Sequence, residues 1–152
     1  MNRLLLPSAL LALAALGGCN PLSLRPADFA WPIQVVVSVD SKGMVMEDRY
    51  KFSANVKELL FEETHDSVNV KGVELRMIRD MRGYYFVTGE KFKNVYVFSQ
   101  GDGSFRLETK ITVSEKGLNS PAFNQRSPNI QLVSEGEKSV MLTRDGVQQG
   151  AK

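Results

Sequence analysis

The chain has 152 residues, 43% hydrophobic and 24% charged, with a formal net charge of +2, one cysteine and one histidine. Those proportions are ordinary for one soluble globular domain and exclude disorder, collagen or a multi-span membrane protein as a reading of the whole. They leave no strong basic excess for nucleic acid and little material for a disulfide framework or a metal site.

Arg3 and the free amine give a short positive start, and an apolar run follows over residues 4–16, broken only by Pro7 and Ser8. That run is shorter than the roughly 20 residues a membrane-spanning helix needs. A charged start, a short apolar run and small residues after it describe a secretory signal peptide over residues 1–18. Leu16-Gly17-Gly18-Cys19 then resembles the lipobox of bacterial lipoproteins of the Gram-negative type. The resemblance implies that Cys19 receives a diacylglycerol thioether, becomes the mature N-terminus and is acylated on its new amine, with palmitate as a typical chain. The cysteine count agrees, because a thioether at the only cysteine leaves no free thiol in an oxidising compartment. Two or three acyl chains, at about 0.8 kcal/mol per buried methylene, make a stable anchor. Asn20 follows Cys19 where aspartate would favour inner-membrane retention in that sorting pattern. The expected location is therefore the outer membrane, facing the periplasm.

Residues 19–32 contain Pro21, Pro26 and Pro32, with Phe29 and Trp31 near the end. Proline fixes φ and biases its predecessor towards extended backbone, so this stretch reads as a semi-rigid tether. Phe29 and Trp31 are expected to fold back on the domain, with a partner or the lipid interface as the alternative.

From residue 33 to 145 the hydrophobic period is two, as expected of a single β domain. Ile33, Val35, Val37 and Val39 alternate with Gln34, Val36, Ser38 and Asp40, and Asp40-Ser41-Lys42-Gly43 reads as a hairpin turn. Tyr50, Phe52, Ala54 and Val56 mark a half-buried strand. Residues 58–63 fit a short helical turn or a strand equally well. Shorter strands are expected at 68–70, 73–79, 84–88, 94–98, 130–133 and 139–143. The clearest alternation is Phe105, Leu107, Thr109, Ile111 and Val113. Residues 116–129, with Pro121, Phe123 and Pro128, read as a long irregular loop, either functional or laid as a plug over one end of the domain. Residues 146–152 read as a flexible tail. About ten short strands with brief turns predict an all-β fold, an antiparallel β-sandwich or a small β-barrel.

The hydrophobic pattern also suggests a register for the central meander. Pairing Phe86 with Tyr96 and Tyr84 with Phe98 makes Tyr84, Phe86, Tyr96 and Phe98 an aromatic core face that continues into Leu107 and Ile111. It leaves Tyr85, Val87, Val95 and Val97 on the other face, beside Arg106 and Glu108. That second face is either covered by another layer or an exposed apolar patch. As a patch, Tyr85, Val87, Val95 and Val97, together with Phe123, are the candidate partner-binding residues.

Catalytic material is sparse. His65, the only imidazole, lies in Glu62-Glu63-Thr64-His65-Asp66. Three carboxylates and an imidazole are chemically capable of holding a divalent ion, but alternation along a strand would set Glu62 and Glu63 on opposite faces. A solvated acidic turn is the expectation. No serine sits in Gly-x-Ser-x-Gly, and Gly101-Asp102-Gly103 is too short to cradle phosphate. Lys71, Arg76, Arg79, Arg82, Lys91 and Lys93 gather between residues 71 and 93, diluted by Glu74, Asp80 and Glu90.

The expected function is thus a non-enzymatic lipoprotein without cofactor or metal, anchored through Cys19. It would bind an envelope protein as an assembly factor or accessory subunit, with no role for nucleic acid. A barrel-type carrier of a hydrophobic ligand is the alternative. A hydrolase inhibitor is the third class: Tyr85-Phe86-Val87-Thr88-Gly89 is similar to a motif of small lysozyme-inhibiting lipoproteins, whose companion serine-glycine-x-x-tyrosine segment is absent. Cys19→Ser is expected to abolish labelling by a clickable fatty acid and to leave an unprocessed or unanchored chain. Labelling that persists in that variant would refute the anchor.

Overall fold

The computed structural model describes residues 34–49, 51–101 and 104–148. The leader, Cys19, the tether with Phe29 and Trp31, Tyr50, the Asp102-Gly103 step and residues 149–152 lie outside the described residues. In chain order the elements are β1 (Val35–Ser38), β2 (Met44–Glu47), β3 (Phe52–Asn55), α1 (Lys57–Thr64), β4 (Glu74–Arg79), β5 (Tyr85–Gly89), β6 (Asn94–Gly101), β7 (Ser104–Thr112), β8 (Ala122–Arg126), β9 (Asn129–Val133), β10 (Val140–Thr143) and β11 (Gly146–Val147). The fold is all-β with one short helix, and the strand ladders are antiparallel.

A five-stranded sheet in the order β1-β4-β5-β6-β7 forms the middle layer. One face packs on the four-stranded sheet β11-β10-β9-β8, where Ile78, Phe86, Val95, Val97 and Ile111 meet Phe123, Ile130, Leu132 and Leu142. The other face packs under the β2-β3 hairpin and α1, where Leu75, Met77, Tyr85, Val87 and Tyr96 meet Val45, Val56 and Leu60. All five residues of β5 are buried. A strand covered on both faces loses the apolar–polar alternation from which register is read.

The register consequently differs from the sequence-based expectation by one residue. Tyr85 faces Phe98, Phe86 faces Val97 and Val87 faces Tyr96. Tyr85 and Val87 therefore share a face with Tyr96 and Phe98, while Val95 and Val97 lie with Phe86 against the four-stranded sheet. A second departure follows in β7. Val97 pairs with Thr109 but Phe98 pairs with Leu107, leaving Glu108 as the extra residue of a β-bulge. A bulge reverses the in–out alternation beyond it. Ile111 stays with the four-stranded sheet, whereas Phe105 turns to the hairpin side.

Five more local features depart from or complete the sequence reading. Residues 44–47 form a strand in which Val45 and Glu47 are buried and Met46 is 71% exposed, an inversion that hides the period. Residues 58–63 belong to a helix whose N-cap position is Val56, without a side-chain cap; just ahead of it the Asn55 Oδ1 accepts the Lys57 N–H at 3.0 Å. His65 ends it in left-handed backbone, donating its N–H to the Phe61 carbonyl. Residues 68–70 form no strand: the Asp66 carboxylate gathers the N–H and side-chain amide of Asn69 and the N–H of Val68 into a loop, and those hydrogen bonds, the Asn69 N–H first, hold its carboxyl below the ordinary range. The expected long loop contains β8, whose Asn124, Gln125 and Arg126 are polar because only Phe123 of the strand is fully buried. The tail is likewise shorter than expected, since Gly146 and Val147 pair with β10.

The Asp40 turn forms where expected. Its carboxylate accepts the N–H of Met44 and of Lys42, both at 2.8 Å, and the Met44 bond is the main reason its carboxyl stays below the ordinary range. Gly117 fixes the approach of the following segment to the β5–β6 turn. A Cβ there would lie 2.6 Å from the Lys91 carbonyl oxygen, so only glycine allows Leu118 to bond Lys91 and Phe92 backbone on either side.

Phe123 is 4% exposed in the core between the two larger sheets. Phe123→Ala is expected to destabilise the domain by about 3–5 kcal/mol, measured by chemical denaturation. A near-unchanged midpoint would contradict that placement.

Candidate functional site

The hairpin and helix do not seal the face they cover. Between them and the central sheet runs a cleft of about 750 Å³, within the usual volume of a small-molecule site. Its floor comes from β4 to β7: Leu75 and Met77, Tyr85 and Val87, Tyr96 and Phe98, then Phe105 and Leu107. Its roof is β3 from Phe52 to Asn55, then Val56, and one face of α1 with Glu58, Leu59 and Glu62.

Local chemistry explains why the roof stands where it does. Glu63 of α1 accepts hydrogen bonds from the Lys93 N–H, the Asn94 side-chain amide and the Tyr96 hydroxyl, each at 2.7 Å. Three donors on one carboxylate clamp the helix to the β5–β6 turn and the start of β6. Glu62 on the next position bonds Lys110 of β7. At the other end the Phe52 and Phe105 rings meet edge-on with centroids 4.4 Å apart, and Tyr85 meets Phe105 at 4.9 Å. The roof is thus tied to the sheet through Phe52 with Phe105 and through Glu62 with Lys110. Leu107, in the lining, is 48% exposed.

The polar atoms of the floor are already engaged. The Tyr85 hydroxyl donates to Gln100 at 3.1 Å, and the Tyr96 hydroxyl donates to Glu63. Burial pushes the Tyr96 phenol far above its ordinary pKa, reinforced by the Glu63 hydrogen bond and by the charges of Glu63 and Glu62.

Of the five candidate partner-binding residues, Tyr85 and Val87 line this cleft, whereas Val95, Val97 and Phe123 sit in the opposite core. All five are buried. Tyr85, Val87, Val95 and Val97 do not form one exposed face, because the register that set them beside Arg106 and Glu108 is not the one adopted, and Phe123 is packed in β8 and not on an open loop. The acidic segment is dispersed: Glu62 serves Lys110, Glu63 clamps β6, Asp66 organises its loop, and the His65 ring stands edge-on to exposed Phe61 at 6.1 Å. Among the described residues no three histidine, cysteine or acidic side chains converge as a metal site. The basic residues of 71–93 are also spread, with Arg76 beside Glu74, Lys91 beside Glu90 and Arg79 over the Tyr85 ring.

The residues missed in the sequence are Leu75, Met77, Leu59 and Ala54 as lining, and Glu63 as the clamp. Alternation marks Phe52 and Ala54 as facing inward. Nothing local to them shows that the layer they face stops short of contact. No family model, curated protein or solved structure matches the chain.

Because the folded chain holds the Tyr96 proton more tightly than the unfolded chain, stability is expected to fall as pH rises above the ordinary tyrosine pKa of about 10. Tyrosinate absorbance should show Tyr96 ionising only with unfolding, and Tyr96→Phe should move alkaline unfolding to higher pH. An unmoved midpoint in Tyr96→Phe would contradict the buried phenol.

Proposed function

We propose that this chain is a lipid-anchored envelope protein, held at the outer membrane through Cys19 and facing the periplasm. It works by binding and not by catalysis, and the cleft under the β2-β3 hairpin and α1 is its site for a hydrophobic ligand. The observation that carries this reading is the cleft itself. A floor of aliphatic and aromatic side chains faces a gap of about 750 Å³ beside a partly exposed leucine, in a domain whose other core is closed by a full sheet.

The accessory-subunit reading loses its five proposed anchors, which are buried. The hydrolase-inhibitor reading loses its motif, since every residue of β5 is buried. The carrier reading gains, because Tyr85 and Val87 belong to the cleft floor. His65 takes no part in the lining.

Ala54 faces the floor from β3, and a large ring there fills the gap without removing a core side chain. Native mass spectrometry of the lipidated protein extracted from membranes is expected to show a bound small hydrophobic species. Ala54→Trp should lose it while the circular dichroism spectrum stays that of the parent, and Leu107→Glu at the mouth should weaken it. A parent protein free of any adduct, or an adduct retained by both variants, would overturn the proposal.

A further inference from the structure

The chain enters the domain at the aromatic end of the cleft. β1 lies on β4 with Val35 opposite Met77, and that row continues through Val87 to Tyr96. The next row of the same facing, towards the chain start, holds Arg79, Tyr85, Phe98 and Leu107. Phe29, Trp31 and Ile33 precede β1 on that side. The Glu63 clamp stands at the opposite end, on Lys93 and Asn94.

Sequence and register together say which way this segment faces. Pro32 biases Trp31 towards extended backbone, and in extended backbone residues 31 and 33 project to the same side as Val35 and Val37. That side is the core beneath the hairpin. Gln34 turns the other way, where its Oε1 accepts the Phe123 N–H. The proline does not interrupt the ladder. Val39 donates its N–H to the Val73 carbonyl, so odd-numbered residues turn their main chain to β4 and even-numbered ones away from it. The N–H that Pro32 lacks is one that β4 does not use.

The aromatic end suits a neutral ring. Two strand spacings of about 4.8 Å separate β1 from β5. Arg79 of β4 spans them, its guanidinium over the Tyr85 ring at 5.5 Å from the centroid. The other face of a guanidinium accepts a second ring in the same way. Phe52, Phe98 and Phe105 lie beyond, partly buried, and Gln100 and Ser104 bring side-chain oxygens to the lining. Lys51 and the buried Glu47, which pairs with Phe52, put both signs of charge at this end, which selects neither an anion nor a cation. An indole offers a large uncharged ring and one N–H donor. Residues 29–33 are also joined covalently to β1, which gives them an effective concentration in the millimolar range.

We propose that Trp31 docks its indole at the aromatic end of its own chain's cleft, against Arg79 and Tyr85, so that the tether from Cys19 covers that end and a ligand of the cleft competes with it. The docking goes beyond the reading of the cleft as a ligand site and stands without it; the competition rests on that reading.

Trp31 is the only tryptophan of the chain, so its fluorescence reports the site directly. The full protein is placed in phosphatidylcholine vesicles with and without brominated acyl chains. The indole is expected to emit at shorter wavelength than in the urea-unfolded chain, to be quenched severalfold less by acrylamide, and to be unaffected by brominated lipid. Arg79→Gln and Phe52→Leu should each move the emission to longer wavelength and restore acrylamide quenching, with the circular dichroism spectrum of the parent. Met46→Gln, at an exposed position of β2, should change neither. Quenching by the brominated chains puts the indole in the bilayer and overturns the docking, as does full acrylamide quenching of the parent. A shielded indole indifferent to both Arg79→Gln and Phe52→Leu sits elsewhere on the domain and overturns the assigned site. Trp31→Ala should raise severalfold the fraction of protein that carries an adduct in native mass spectrometry, and an unchanged fraction overturns the competition. No adduct in parent or variant overturns the ligand reading and the competition with it, while a shielded indole that responds to Arg79→Gln or Phe52→Leu upholds the docking.

Discussion

Strands β5 and β6 have no polar face. Tyr85, Phe86, Val87 and Thr88 are buried in succession, and so are Val95, Tyr96 and Val97. A sheet whose centre is apolar on both sides must be covered on both sides, and this requirement shapes the domain. The four-stranded sheet answers it on one face. On the other, the chain has only a four-residue hairpin pair and a two-turn helix to offer. That cover is held by polar ties and the contacts of Phe52 with Tyr85 and Phe105, and the cleft is what it leaves open.

The bulge between Phe98 and Val97 matters as much as the layers do. Glu108 has no partner across the ladder. Its carboxylate instead accepts hydrogen bonds from the Ser99 hydroxyl and the Arg106 guanidinium, which together hold its carboxyl below the ordinary range. The one-residue offset sends Phe105 and Leu107 towards the hairpin while Ile111 stays with the other core. Without it, the aromatic end of the cleft would lack Phe105, and Phe52 would keep only the Tyr85 ring, 5.8 Å away, to close against. One hydrophilic residue in the middle of a strand thus decides which face of the sheet Phe105 and Leu107 share.

Glu63 links this architecture to the proposed activity. A carboxylate bonded by a backbone amide, a side-chain amide and a phenol couples α1 to the strand that forms the cleft floor. The same bond occupies the Tyr96 hydroxyl, so the floor below the helix presents carbon and not oxygen. Glu63 therefore both fastens the helix and takes up the Tyr96 hydroxyl, one of the polar groups at the cleft floor.

The sequence by itself determined the all-β character, the turn at Asp40, the inward side of β3 and most strand positions, because these follow from alternation and turn chemistry within a few residues. It left β2 and β8 unseen, since in each the buried side includes a charged or polar residue and the pattern is carried by one or two side chains. The helix was open between two readings because Leu59, Leu60 and Phe61 are consecutive and favour neither period. Tertiary structure alone decided the register of β5 on β6, the bulge in β7 and the existence of the cleft. When both faces of a strand are buried, a one-residue slip exchanges apolar for apolar and no local pattern resists it. A gap between layers depends on how far apart distant contacts such as Glu63 with Tyr96 and Phe52 with Phe105 hold them, and that separation is written in no single segment of the chain.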